Sequence, residues 1–192
     1  MPKQGVLVLG TYRSGTSATT GVLHRLGFES NAIDLQLDNL AVNPTGSYRD
    51  KYLSGSLIIN WEEYFAIKGV NEKWCAKHHS LYANNNIQEY IANFPADRES
   101  WLVWAYRPIE NSIASYAFTS GFSTAAQDIY DLHVKTQAVY DAWEDKKIIV
   151  DFNELLGNTE QTVRMLCTKL NVPYIQDATD FIDANHSQFG GV

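Results

Sequence analysis

The chain has 192 residues, 45% of them hydrophobic and 12% aromatic, enough for one well-buried α/β domain spanning 1–192, and nothing in it marks a second. A net charge of −7, from 22 acidic against 15 basic side chains, opposes a role on nucleic acid or an anionic membrane. No run approaches the roughly 18 apolar residues of a membrane span, the N-terminus leaves no room for a signal peptide, and Cys75 and Cys167 have no metal-ligand spacing, so a soluble cytoplasmic protein with two buried thiols is expected.

Val6 to Leu9 is a short apolar run of the kind a buried parallel strand shows. The helix after it carries Val22, Leu23 and Leu26 on one face, with Gly27 as its C-terminal cap. Glu29 to Arg49 is polar and turn-rich, broken at Asn43, Pro44 and Gly46. Helical spacing of Leu53, Leu57, Trp61, Tyr64 and Phe65 predicts a helix from about Asp50 to Phe65. A short strand follows at Lys73 to Ala76 and a helix at Ile87 to Phe94. Trp101 to Tyr106 reads as a central strand, and Pro108 suits the first turn of a helix containing Ile109, Ile113 and Tyr116. A long helix fits Thr124 to Asp145, a last strand Lys147 to Phe152, and a last helix Thr159 to Leu170, where Asn158 and Gln161 have capping-box spacing. Alternating strands and helices predict a mostly parallel sheet with helices on both faces and ligands at the C-terminal strand ends, where Arg13 and Arg107 both fall.

The turn Gly10 to Ser17, GTYRSGTS, lies between strand and helix, where free N–H groups and roughly half a unit of dipole charge favour an oxyanion. Gly10, Gly15 and Ser17 match the phosphate loop G-x-x-x-x-G-K-[ST], but Thr16 takes the lysine position and Arg13 is the cation of the turn. Ser14, Thr16 and Ser17 add hydroxyls. The first thirty residues are locally basic, Lys3, Arg13 and Arg25 against Glu29, so an acidic protein can still hold an anion there.

Three separated pieces together resemble the sulfotransferase family. GTYRSGTS is similar to its 5′-phosphosulfate loop, and YRPIENSIAS to the segment in which an arginine and a serine, here Arg107 and Ser115, hold a ribose 3′-phosphate. Lys77 and His79 of AKHHS match the Lys-x-His that assists sulfuryl transfer. NPTGSY and VDFNELLGNTEQTVRMLCTKLNVP resemble segments of bacterial members, whereas Ala18 replaces an aromatic residue that often follows the loop. The resemblance implies a P-loop sulfotransferase-like α/β domain using 3′-phosphoadenosine 5′-phosphosulfate (PAPS), releasing adenosine 3′,5′-bisphosphate and needing no metal. Arg13, Ser14, Gly15, Thr16 and Ser17 would bind the 5′ end and Arg107 and Ser115 the 3′-phosphate. Arg13, Lys77 and His79 would serve catalysis.

Ser112 competes with Ser115, and His78 with His79 as general base. The resemblance offers Arg164, in GNTEQTVR, as a candidate to substitute for the family's C-terminal 3′-phosphate segment, and His24 and His133 suit structural roles in helices. The aromatic residues Tyr48, Tyr52, Trp61, Tyr64, Phe65, Phe118 and Phe122 either pack as core or line a pocket for a small-molecule or carbohydrate acceptor. Two other classes remain open on this sequence: a nucleotide or nucleoside kinase on the same loop, and a nucleotide-binding protein without turnover.

Overall fold

The structure, a computed structural model, describes residues 3–30, 72–78, 97–120 and 125–182. Five strands, β1 (Gln4–Leu9), β2 (Glu29–Ser30), β3 (Lys73–His78), β4 (Glu99–Tyr106) and β5 (Lys146–Asp151), form one parallel sheet in the spatial order β2, β3, β1, β4, β5. All six residues of β1 are buried, as a central strand covered on both faces requires, which is why it reads as a continuous apolar run.

Side chains alternate across the sheet. Val6 and Val8 join Cys75, Val103, Ala105, Ile148 and Val150 in one core. That core is closed by helix α1 (Thr16–Arg25) through Val22, Leu23 and Leu26. Leu102 and Trp104 take the other face, where Trp104 meets His133 and Tyr140, each with ring centroids 5.5 Å away, on a long helix over Ala125–Ala142. Helix α2 (Ile109–Ser120) precedes that helix, α3. Beyond β5 come α4 (Phe152–Gly157) and α5 (Thr159–Leu170), which adds Val163, Leu166 and Leu170 to the first core. The architecture is the expected α/β one.

The expected elements recur with instructive differences. Gly27 has φ 91°, and its N–H donates to the His24 carbonyl while that of Phe28 donates to Leu23, the Schellman closure of α1. Strand β3 runs two residues past Ala76 and so carries Lys77 inside the sheet, in register with Val8. The last strand stops at Asp151, not Phe152, because the Asp151 carboxylate accepts the N–H groups of Asn153 and Glu154 and starts α4, a helix the sequence did not predict. The capping box at Asn158 does not form: its side-chain amide donates to Glu154 Oε2 at 2.6 Å, and α5 begins without a side-chain cap.

Cys75 and Cys167 are buried and free, and burial raises both thiol pKa values, which fits small hydrophobes. No helix among the described residues is long and apolar enough to cross a membrane. The helices expected at Asp50 to Phe65 and Ile87 to Phe94, the NPTGSY turn and the candidate acceptor residues outside α2 lie outside the described residues.

Candidate functional site

The parallel register brings the C-terminal ends of β1, β3, β4 and β5 to one edge: Leu9 faces His78 on one side and Trp104 on the other, and Tyr106 faces Asp151. The loop between β1 and α1 sits at that edge. Gly10 is required there because a Cβ would lie 2.4 Å from Ser14 Oγ and 2.8 Å from the Ala105 carbonyl. Gly15, the N-cap residue of α1, has φ 90°, and a Cβ on it would lie 2.2 Å from the Phe152 ring. Helix α1 has no side-chain cap and no acid in its first turn, so its leading N–H groups and dipole are left for an anion.

Within the loop the hydroxyls divide their work. Ser14 is 1% exposed, and its hydroxyl donates to the Thr11 carbonyl at 2.9 Å, a brace for the turn that commits its proton. Thr16 is buried, with its methyl toward Gly10, where a triphosphate loop would extend a lysine. Ser17 Oγ accepts from Lys77 Nζ at 2.8 Å across 60 positions of sequence. Ala18, 1% exposed, belongs to the core.

The two arginines converge. Arg13, itself at φ 63°, donates from Nε to Ser115 Oγ at 3.2 Å, and Arg107 donates from one terminal nitrogen to the Arg13 carbonyl at 3.2 Å. Burial, then the charge of Arg107, holds the Arg13 guanidinium below its ordinary pKa, and burial lowers that of Arg107. Neither makes an ion pair among the described residues. Cations withdrawn even partly from water are favoured by a counter-charge, so two half-buried ones side by side describe a place for an anion. Arg107 Nε and the hydroxyl of Ser112, which is fully buried, are hydrogen-bond donors with no partner among the described residues, beside the same strand end.

Phe152 escaped the sequence reading. Its ring lies against Gly15 and has the Arg107 guanidinium carbon 5.1 Å from its centroid, so one buried side chain supports both the loop and the arginine. No local signal marks it, because it reads as the last apolar residue of a strand. Arg164 is occupied elsewhere: it pairs with Glu160 one turn earlier and stacks over Tyr174 at 3.9 Å. His78 contributes its backbone to β3, and His79 lies outside the described residues. No cluster of metal-ligating side chains occurs among the described residues.

No family model matches the sequence, and no curated protein matches it. Solved structures do. The sulfotransferase domain of the Synechococcus PCC 7002 olefin synthase is similar over 93% of this chain and 76% of its own, with TM-score 0.56 and 15% identity. The fold is sulfotransferase-like. Sulfotransferase STF9 from Mycobacterium avium matches 96% of this chain and 68% of its own at TM-score 0.56 and 11% identity. A sugar kinase from Janibacter sp. HTCC2649 shares the architecture over 89% of this chain and 96% of its own, at TM-score 0.52 and 17% identity. A sulfotransferase-like fold at such identities defines the backbone that presents the site, and the chemistry has to be argued from its residues.

Proposed function

We propose that the chain is a sulfotransferase that moves a sulfuryl group from PAPS to a hydroxyl, or an amine, of a small-molecule or carbohydrate acceptor. The observation that carries this reading is the guanidinium pair of Arg13 and Arg107, without a carboxylate among the described residues, beside a helix N-terminus that lacks a cap. The two features supply two anion positions at one strand edge. A donor with a 5′-phosphosulfate and a separate 3′-phosphate has that charge pattern, and ATP does not.

In this reading the α1 amides and the Thr16 and Ser17 hydroxyls hold the 5′-phosphate, while Arg107 clamps the 3′-phosphate with Ser115 or Ser112. The acceptor oxygen attacks sulfur, the bond from sulfur to the oxygen of the 5′-phosphate breaks, and that oxygen keeps the electron pair. Arg13 and Lys77 stabilise the charge growing there, and His79 takes the acceptor proton. Ser115 now holds Arg13, so the serine and the arginine act as one unit.

Calorimetric titration of the whole chain with adenosine 3′,5′-bisphosphate, AMP and ATP, with and without Mg2+, tests the reading. The bisphosphate should bind most tightly and without metal, and a screen of acceptors with PAPS should then yield it as product. Equal affinity for AMP, or a strict Mg2+ requirement, overturns the proposal. The likeness to a sugar kinase favours phosphoryl transfer as the second reading, and ATP binding that depends on Mg2+ would select it.

A further inference from the structure

Strand β5 closes one end of the sheet, and among the described residues it pairs with β4 alone. The register with β4 is continuous from Lys146 to Asp151, with neither a bulge nor a proline, so the far side of β5 presents a row of backbone N–H and C=O groups to another strand. One face of β5 is covered, and there Ile148 and Val150 are buried in the core shared with α1 and α5. The other face is open: Lys147 is exposed and Ile149 is 46% exposed, although Trp104, the register neighbour of Ile149, is buried. Lys147 Nζ donates to the Tyr140 and Asp141 carbonyls at 3.0 and 3.4 Å, which leaves one of its three protons. The Asp151 carboxylate accepts both α4 amides on Oδ1, and its Oδ2 accepts from no group among the described residues. The Trp143 indole donates to the Lys146 carbonyl at 3.2 Å and so bounds the open stretch at Lys147.

We infer that β5 is the two-fold interface of a homodimer, in which it pairs antiparallel with β5 of a second copy and joins the two parallel sheets into one. The stretch Lys147-Ile148-Ile149-Val150-Asp151 is its own complement in that arrangement. With the axis through Ile149, each Lys147 lies opposite the Asp151 of the other copy, Ile149 lies opposite its own counterpart, and Ile148 lies opposite Val150. Residues directly opposite in an antiparallel pair share a face, so the open faces of the two copies join and so do the covered ones. A shift by two residues sets Asp151 opposite Asp145 or Ile149, and a shift by one joins the open face of one copy to the covered face of the other. Charge and burial thus select a single register. Lysine on an edge strand ordinarily deters strand addition; the second copy supplies its counter-charge, so the residue that repels a foreign strand admits this one. The two-fold operation uses up both β5 edges, and the assembly closes at two copies. The inference involves no nucleotide and stands apart from the sulfuryl-transfer reading.

Sedimentation velocity of the full chain over a range of concentrations tests it, with melting curves to establish that each variant folds. A strand pair of this length is a small interface, so the wild type should pass from monomer to dimer in the micromolar range. Ile149→Lys puts two like charges on the axis, and Lys147→Glu sets a carboxylate against Asp151; each should weaken dimerisation at least about tenfold. Ile149→Cys gives the positive test of register. Position 149 meets itself across the axis, so a short bis-maleimide should link two copies of this variant, whereas Lys169→Cys, at an exposed position of α5, should stay single. Cys75 and Cys167 are buried and add little background. A wild type that stays monomeric at tens of micromolar overturns the inference, whether the edge then takes another protein or none. So does a dimer that survives unweakened in folded Ile149→Lys, or equal linking of the two cysteine variants.

Discussion

Two glycines on nearly the same backbone offer a measurement of how firmly the phosphate loop is held. Gly15 has φ 90° and Gly27 φ 91°, but a Cβ on Gly27 meets nothing within 4 Å whereas one on Gly15 lies 2.2 Å from Phe152 Cδ2. Gly27→Ala therefore incurs only the left-handed backbone cost, about 1–2 kcal/mol. Gly15→Ala incurs that cost and must also displace a ring that is 3% exposed and packed in the core, an overpacking cost of about 1–3 kcal/mol more. The expected losses are about 1–2 kcal/mol for Gly27→Ala and about 2–5 kcal/mol for Gly15→Ala. Urea unfolding of both variants, with midpoints compared at unchanged slope, reads the difference directly. Adding Phe152→Leu to Gly15→Ala should recover part of the packing cost and leave the backbone part. Equal losses for the two single variants would refute the reasoning, since they would mean that Phe152 gives way freely and does not set the position of the loop.

Arg107→Ala should reduce the preference for adenosine 3′,5′-bisphosphate over AMP by about 10- to 150-fold in titrations, while leaving AMP affinity almost unchanged. Arg13→Ala should weaken bisphosphate binding and transfer together. His79→Ala should keep product affinity and lower single-turnover transfer by about 10²–10⁴-fold, with His78→Ala as the control that stays active; full activity in both would mean that neither imidazole takes the proton. Burial holds the His133 imidazole below its ordinary pKa near 6.5, against an opposing pull from Glu110. The unfolded chain then binds more protons between the two pKa values, so stability should rise with pH through that window and level off above about 6.5. Urea midpoints against pH should show this slope in the wild type and lose it in His133→Phe.

What could be read in advance follows from whether the signal is local. The β1 run, the loop glycines and the α1 periodicity are contiguous, and α5 was legible at both ends, Thr159 and Leu170, because its apolar spacing is regular. Helix α4 was not legible, because Ile148, Val150 and Phe152 continue the alternation of a strand while the stop is made by the Asp151 carboxylate turning back onto the next amides. Strand β2, two residues long, exists through its pairing with β3 and leaves no pattern of its own. The site shows the same division. Candidate residues at strand ends were visible as types in motifs, but their partnerships span 60, 94 and 102 positions, which no spacing rule reports. Ser14 drew notice as a donor, yet the turn itself uses its proton. Phe152 was invisible as a support because packing beneath a loop has no sequence period.

The convergence of Arg13 and Arg107 has a consequence for how the protein behaves in a test tube. Two like charges in a half-buried setting raise the free energy of the folded chain, and any anion that binds only the folded form offsets this in proportion to the logarithm of its concentration. Folding and anion concentration are therefore linked. Buffer composition becomes a thermodynamic variable: sulfate or phosphate should raise the melting temperature and compete with nucleotide, whereas a zwitterionic amine buffer should do neither. Affinities measured in phosphate would understate the intrinsic ones by the occupancy of that competitor.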